Sequence, residues 1–237
     1  HHAYCVHRGS EAIPCSDENL VVRAAKLMRE QTGCSHGARI ELYKRIPAEA
    51  GLGGGSSDAA TTLWALNRLW KLELSHGELC RLGGMLGSDV PFFLFETTAA
   101  VCRGRGEQVE PVPFTQNVNF VVARPHSGLS TAEVYRHCSP SGTQTSTGAL
   151  VDALRSGRLK LAADRLHNAL QAPAERLNAD VSGTISQLAN QQLLGPTMSG
   201  SGTACFGISM SHRQALTVAA RLRAAGNHRA YAVQSRP

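Results

Sequence analysis

The sequence predicts an α+β protein built in two halves, on three observations. Stretches that alternate with period two give way repeatedly to stretches whose apolar residues recur every three or four positions. Two glycine-rich loops, Gly51 to Gly55 and Gly195 to Gly202, each lie beside such stretches. Between them Arg124-Pro125-His126-Ser127-Gly128 reads as a seam, dividing the chain into 1–123 and 124–237.

Taken in order, Asp17-Glu18-Asn19-Leu20 leads into Val21, Val22, Ala25, Leu27 and Met28, a helix with acidic residues at its start and Gly33 just past its end. Ala38 to Lys44 alternates as a strand with one covered face. Ala59, Leu63, Leu66 and Trp70 share one side of a helix starting near Ser56 or Ser57. Ser75-His76-Gly77-Glu78 is a capping box, so a helix is expected from Glu78 to about Leu86, stopping at Gly87. Val90 to Phe95, Ala99 to Cys102 and Asn119 to Ala123 read as short strands, and Ser139 to Gly148 as a flexible loop. Helices are expected at Ala149–Leu154, Leu159–Leu170 and Ala174–Gln191. After the second glycine loop come a strand from Ala204 to Ser209, a helix from Arg213 to Ala225 and a last strand near Ala230 to Gln234.

At 237 residues the chain buries a substantial core, and 42% hydrophobic with 18% charged residues is the balance of an ordinary globular protein. The formal charge of +6 favours anionic ligands. The basic residues are scattered without interleaved aromatics, so nucleotide or phosphate is favoured over nucleic acid. Seven cysteines lie far apart with no Cys-x-x-Cys pair, which suggests reduced thiols in a cytosol. No apolar run reaches membrane-spanning length, and no histidine pattern supports a zinc site.

The loop Pro47-Ala48-Glu49-Ala50-Gly51-Leu52-Gly53-Gly54-Gly55-Ser56-Ser57 joins a strand to a helix. Glycines admit positive φ and let backbone N–H groups reach an anion, and the following helix adds its own unpaired amides and the positive end of its dipole. A phosphate cradle follows. It is no Walker A loop, because no lysine follows Gly55, and no dinucleotide fingerprint, because Ser56 stands where the third glycine belongs.

The stretch from Ile46 to Ala60 resembles motif two of the GHMP kinase superfamily. The triple glycine, Ser56-Ser57-Asp58-Ala59-Ala60, Ala65-Leu66-Asn67 with Trp70, and Leu86-Gly87-Ser88-Asp89-Val90-Pro91-Phe92 are together similar to the branch acting on 4-diphosphocytidyl-2-C-methyl-D-erythritol. Ser199-Gly200-Ser201-Gly202-Thr203-Ala204 resembles motif three. The resemblance implies a GHMP kinase fold: a ribosomal-S5-domain-2-like N-terminal half lacking its first strands, a ferredoxin-like C-terminal half, and ATP and substrate meeting between them. It implies phosphorylation of the substrate's 2-hydroxyl in the non-mevalonate isoprenoid pathway. ATP and Mg²⁺ are the expected cofactors, with a small-molecule substrate, no nucleic-acid or membrane partner, a monomer or weak homodimer, and a bacterial cytoplasm.

By the same resemblance Pro47 to Ser57 hold the ATP phosphates, and Asn19, Leu20 and Lys44 surround adenine. Asp89 matches the catalytic aspartate, placed after a helix end and biased to extended backbone by the nearby proline. Tyr135 stacks on cytosine, Thr131 contacts the substrate, and Gly200, Ser201 and Gly202 close on the phosphate side. The plainer readings are a helix-start residue for Asn19, a solvated strand residue for Lys44, a core aromatic for Tyr135, and helix-dipole complementation for Asp58 in a first turn. Two other functions stay open: a homoserine- or mevalonate-kinase-like enzyme, and a catalytically inactive nucleotide- or RNA-binding module. The family's Pro-Ala-Lys-Ile-Asn strand and its Asp-Gly-Tyr-His motif do not occur in these 237 residues. No lysine is therefore assigned the catalytic role, and weak or absent catalysis is expected of the chain as written.

Overall fold

The computed structural model describes residues 4–8, 13–14, 16–113, 116–139, 146–226 and 228–235, with backbone alone at 4–8 and 228. Cys15 and positions 140–145 of the expected loop lie outside the described residues. Two compact units emerge: His1–Ala48 with Gly53–Val112, and Glu49–Leu52 with Pro113–Pro237. The seam expected at Arg124 to Gly128 thus sits inside the second unit.

In the first unit, β1 (Tyr4–Arg8) pairs in parallel with β2 (Arg39–Tyr43). Helices α1 (Leu20–Thr32), α2 (Gly54–Leu69) and α3 (His76–Leu86) bury a shared core of Ala25, Met28, Leu63, Leu66, Leu82 and Val90. α1 begins at Asn19 and ends at Gly33, whose φ of 68° is the left-handed conformation that suits glycine. Trp70 packs in this core while its indole N–H donates to Gly37 O at 3.2 Å. Asn67 pins the α2–α3 connection, donating to Leu74 O and accepting from Leu74 N, each at 3.0 Å. The Asn67 and Trp70 of the family-like pattern thus serve the fold.

The run Val90 to Phe95 is not a strand: Pro91–Leu94 forms a 3-10 helix led by Val90 at φ −61°, ψ −42°. A short apolar run looks alike in a strand and in a buried turn, and here Val90 and Pro91 are buried. Ala100–Arg103 (β3) pairs antiparallel with Gln108–Pro111 (β4), a partner with no period-two signal.

The capping box of α3 is present in full, with Ser75 Oγ accepting from Glu78 N and the Glu78 carboxylate accepting from Ser75 N and Oγ. These bonds from Ser75 hold the Glu78 carboxyl below its usual range. A depressed folded-state pKa stabilises above the unfolded value and is lost as pH falls through the folded one. Ser75→Ala is expected to cost about 1 kcal/mol in denaturant unfolding at neutral pH. The cost should shrink as the pH drops below the carboxylate range; a cost unchanged at pH 3 would refute the Glu78 contribution.

In the second unit, β5 (Asn119–Pro125), β6 (Leu194–Met198), β7 (Cys205–Ser209) and β8 (His228–Gln234) form an antiparallel sheet in the order β6-β7-β5-β8. The helices are α4 (Thr131–Arg136), α5 (Thr147–Arg155), α6 (Leu159–Ala163), α7 (Gln171–Leu177), α8 (Ala179–Asn190) and α9 (His212–Ala224). Val121 and Ala123 of β5 join Val181 and Leu188 of α8 and Val218 and Leu222 of α9 in the main core. The alternate face carries Phe120 and Ile208 against Leu159 and Ala163 of α6.

The helix expected over Ala174–Gln191 is broken at Asn178, whose extended backbone (φ −149°, ψ 105°) ends α7 while its side chain caps α8 by accepting from Asp180 N at 3.0 Å. The helix expected over Leu159–Leu170 stops at Ala163. The second glycine loop is shorter than expected, since Gly195 and Pro196 lie in β6. That is an edge strand with a register shift, a place where the sheet tolerates proline.

Candidate active site

The glycine-rich stretch divides between the units. On the first unit, α2 starts at Gly54, two residues before Ser56, with Gly53 (φ 67°) as its N-cap. No side chain caps it. The N–H groups of Gly54, Gly55 and Ser56 have no partner within the helix and form the positive end of its dipole, the arrangement that holds a phosphate. A Cβ at Gly53 would stand 2.7 Å from the Phe93 ring, and one at Gly54 would meet Ile46 at 2.8 Å and Lys44 Nζ at 3.1 Å. Ser57 N donates to Gly53 O at 2.9 Å, the first bond of the helix.

Lys44 is no solvated strand residue. Its side chain is 8% exposed and its ammonium pairs with Asp58. Because α2 begins at Gly54, Asp58 lies past the first turn and answers Lys44 rather than the helix end alone. Asn19 takes its plainer role as the α1 cap: Oδ1 accepts from Val21 N and Nδ2 donates to Pro14 O, both at 2.9 Å. Leu20 opens α1 and lies 3.4 Å from where a Gly55 Cβ would stand.

Asp89 sits in the turn between α3 and the 3-10 helix, with its side chain exposed and no hydrogen-bond partner among the described residues. Its neighbours are a turn and a helix, not the extended backbone expected, because Val90 N bonds Gly87 O at 3.2 Å. Gly106 stands close, its Cβ position 3.5 Å from Asp89 Oδ1. The Cys102 thiol is pushed up, first by desolvation and then by the Asp89 charge.

Pro47 and Ala48 close the first stretch of the first unit, and the second unit takes up the chain in a turn at Glu49 and the buried Ala50. Motif three is stitched to this segment: Ala204 N donates to Ala50 O at 3.1 Å and Ser199 Oγ to Gly51 O at 2.8 Å. A Cβ on Gly51 would stand 2.1 Å from Ser199 O. Ser201 Oγ meets Thr131 Oγ1 at 2.8 Å, and Thr203 Oγ1 donates to Ser127 O at 3.1 Å. Gly200 and Gly202 take φ of 52° and 88°. Tyr135, on α4, is 61% exposed and is no core aromatic. The Cys205 thiol beneath motif three is pushed up to about 12 by burial and by the Glu175 charge, which makes it inert as a nucleophile.

Sequence reasoning missed Ser199 as the link to Gly51, and Asn168 and Gln171, whose side chains bond the backbone of residues 198–200 and 198 respectively. No local pattern marks them.

The family descriptions "GHMP kinases N terminal domain" and "GHMP kinases C terminal" match residues 19–97 and 150–228. The chain belongs to the GHMP kinase family. The first match spans Lys44, the glycine loop and Asp89, and the second spans motif three, while Thr131 and Tyr135 fall outside both. This GHMP kinase is 38% identical over 207 residues to the 4-diphosphocytidyl-2-C-methyl-D-erythritol kinase of Alkaliphilus metalliredigens, covering 86% of this chain and 71% of the relative. It is 41% identical over 213 residues to that of Pelotomaculum thermopropionicum, covering 89% and 74%. A crystal structure of 4-(cytidine 5'-diphospho)-2C-methyl-D-erythritol kinase superposes with a TM-score of 0.80 at 38% identity, over 98% of this chain and 82% of that one. No helix among the described residues is long and apolar enough to cross a membrane.

Proposed function

We propose that the protein transfers the γ-phosphoryl group of ATP to the 2-hydroxyl of 4-diphosphocytidyl-2-C-methyl-D-erythritol, a step of the non-mevalonate isoprenoid pathway in a bacterial cytoplasm. The observation that carries this reading is the start of α2, an uncapped helix N-terminus led by glycines that no Cβ could replace without a clash at Gly53 or Gly54. In this reading the amides of Gly54, Gly55 and Ser56 on the first unit hold phosphate oxygens, and Gly51, Leu52 and motif three (Gly200, Ser201, Gly202) form a phosphate loop of the second unit. The substrate oxygen bonds to the γ-phosphorus as the bond to the β–γ bridging oxygen breaks and ADP leaves. Asp89 accepts the hydroxyl proton, and its exposure without a competing partner among the described residues keeps the carboxylate available.

Tyr135 offers an exposed ring for cytosine, a contact worth about 1–3 kcal/mol, and Thr131 presents its hydroxyl beside Ser201. Leu20 and the backbone around Asn19 and Lys44 remain the adenine candidates. Mg²⁺, when bound, neutralises phosphate charge. The nucleotide's own phosphates would hold most of it, because the Asp58 carboxylate is committed to Lys44. The protein acts as a monomer or weak homodimer. With ATP and Mg²⁺ supplied, ADP release should depend on the cytidine-linked alcohol. Equal turnover of homoserine or mevalonate would move the protein to another branch of the family, and no turnover of any alcohol would leave a nucleotide-binding module.

A further inference from the structure

We infer that Asn168, in the connection between α6 and α7, is a positioning residue for the phosphate loop of the second unit, motif three with Gly51. This rests on the cradle reading above. Its Nδ2 donates to Met198 O at 2.9 Å and Gly200 O at 2.8 Å, while Oδ1 accepts from Leu170 N at 2.9 Å. The two carbonyls belong to the peptide before Ser199 and the peptide after Gly200, so one side-chain amide fixes both ends of the Ser199–Gly200 turn. Ser199 in turn donates to Gly51 O at 2.8 Å, and a Cβ at Gly200 would lie 3.0 Å from the same oxygen. Gln171 braces the entry to the loop, its Oε1 accepting from Thr197 Oγ1 at 2.8 Å and Met198 N at 3.1 Å. The α6–α7 connection therefore holds one side of motif three, and Gly51 lies on the other. Only a side chain with two N–H donors at this point satisfies both carbonyls, which an aspartate would repel.

The decisive variant is Asn168→Asp in the whole protein. The Michaelis constant for ATP should rise about tenfold or more, as expected for two lost hydrogen bonds. Both kcat and the Michaelis constant for the alcohol should stay within about threefold, a split that a general loss of folding would not produce. Ser199→Ala should also weaken ATP, and the double variant should be no worse than Asn168→Asp alone, because both changes cut one route. Additive effects, or an ATP constant within about twofold of wild type in a folded Asn168→Asp variant, overturn the inference. If that variant does not fold, Asn168→Ala removes the donors without adding charge and is read the same way. If neither folds, Asn168 is purely structural and the inference falls. Gly54→Val separates the two readings: it touches Ile46 and Lys44 and neither Asn168 nor Ser199. Unchanged ATP affinity there refutes the cradle itself, whereas loss there with an insensitive Asn168 refutes only the positioning role.

Discussion

Asp89→Asn is expected to lower kcat by about 10²- to 10⁴-fold, the usual contribution of a positioned general base, with ATP affinity almost unchanged. Asparagine keeps the shape of the side chain and can still orient a hydroxyl, but it accepts no proton. The residue is exposed in a turn and bonded to no described partner, so the exchange should leave unfolding unaffected. The change should also relieve the charge that helps to raise the Cys102 thiol, giving a small fall in that pKa by alkylation kinetics. Near-normal turnover by a folded Asp89→Asn enzyme would remove the residue from the mechanism.

Gly51→Ala should be the most damaging small substitution in the glycine loop. Gly51 has φ of +68°, and its Cβ would lie 2.1 Å from Ser199 O and 2.8 Å from Gly202 N. Both are backbone atoms, so no rotamer change relieves the clash and motif three must move. Gly33 provides the control, with the same φ of +68° and nothing within 4 Å of its Cβ position. Gly33→Ala should therefore cost only the left-handed strain, about 1–2 kcal/mol. Gly51→Ala should cost more than that in unfolding and raise the Michaelis constant for ATP by more than about tenfold, the equivalent of 1.4 kcal/mol. Equal stability losses for the two variants with ATP affinity intact would mean that the loop does not cradle phosphate.

The elements read correctly from sequence are those governed by neighbours in the chain. The Ser75–Glu78 box, the Asn19 and Gly33 ends of α1 and the alternation of Asn119 to Ala123 all depend on contacts within one turn or one strand. The misread elements depend on partners outside their own turn or strand. Val90 to Phe95 has the apolar content of a strand, yet Val90 and Pro91 fold into the core beside Gly83 instead of entering a sheet. Glu110 and Val109 gave no strand pattern, and β4 forms because β3 pairs with it. Ala174 to Gln191 has helical spacing throughout, yet the chain breaks at Asn178, whose side-chain amide donates to Ser127 Oγ and Gly128 O some 50 positions away while its oxygen caps α8.

For the site, the sequence by itself determined the chemistry on offer: a glycine-led helix start, a carboxylate after α3, and a Ser-Gly-Ser-Gly loop, in an order that carries the family. Those features are spelled by consecutive residues. Tertiary structure decided which parts are irreplaceable and which are committed elsewhere. It buried Lys44 against Asp58, exposed the Tyr135 ring, and set Ser199 on Gly51 across 148 positions of chain. It also bonded Asn168 to the carbonyls of Met198 and Gly200. The physical reason is that close approach of backbone to backbone and the pairing of buried charges depend on atoms that folding brings together, and no local spacing of residue types encodes them.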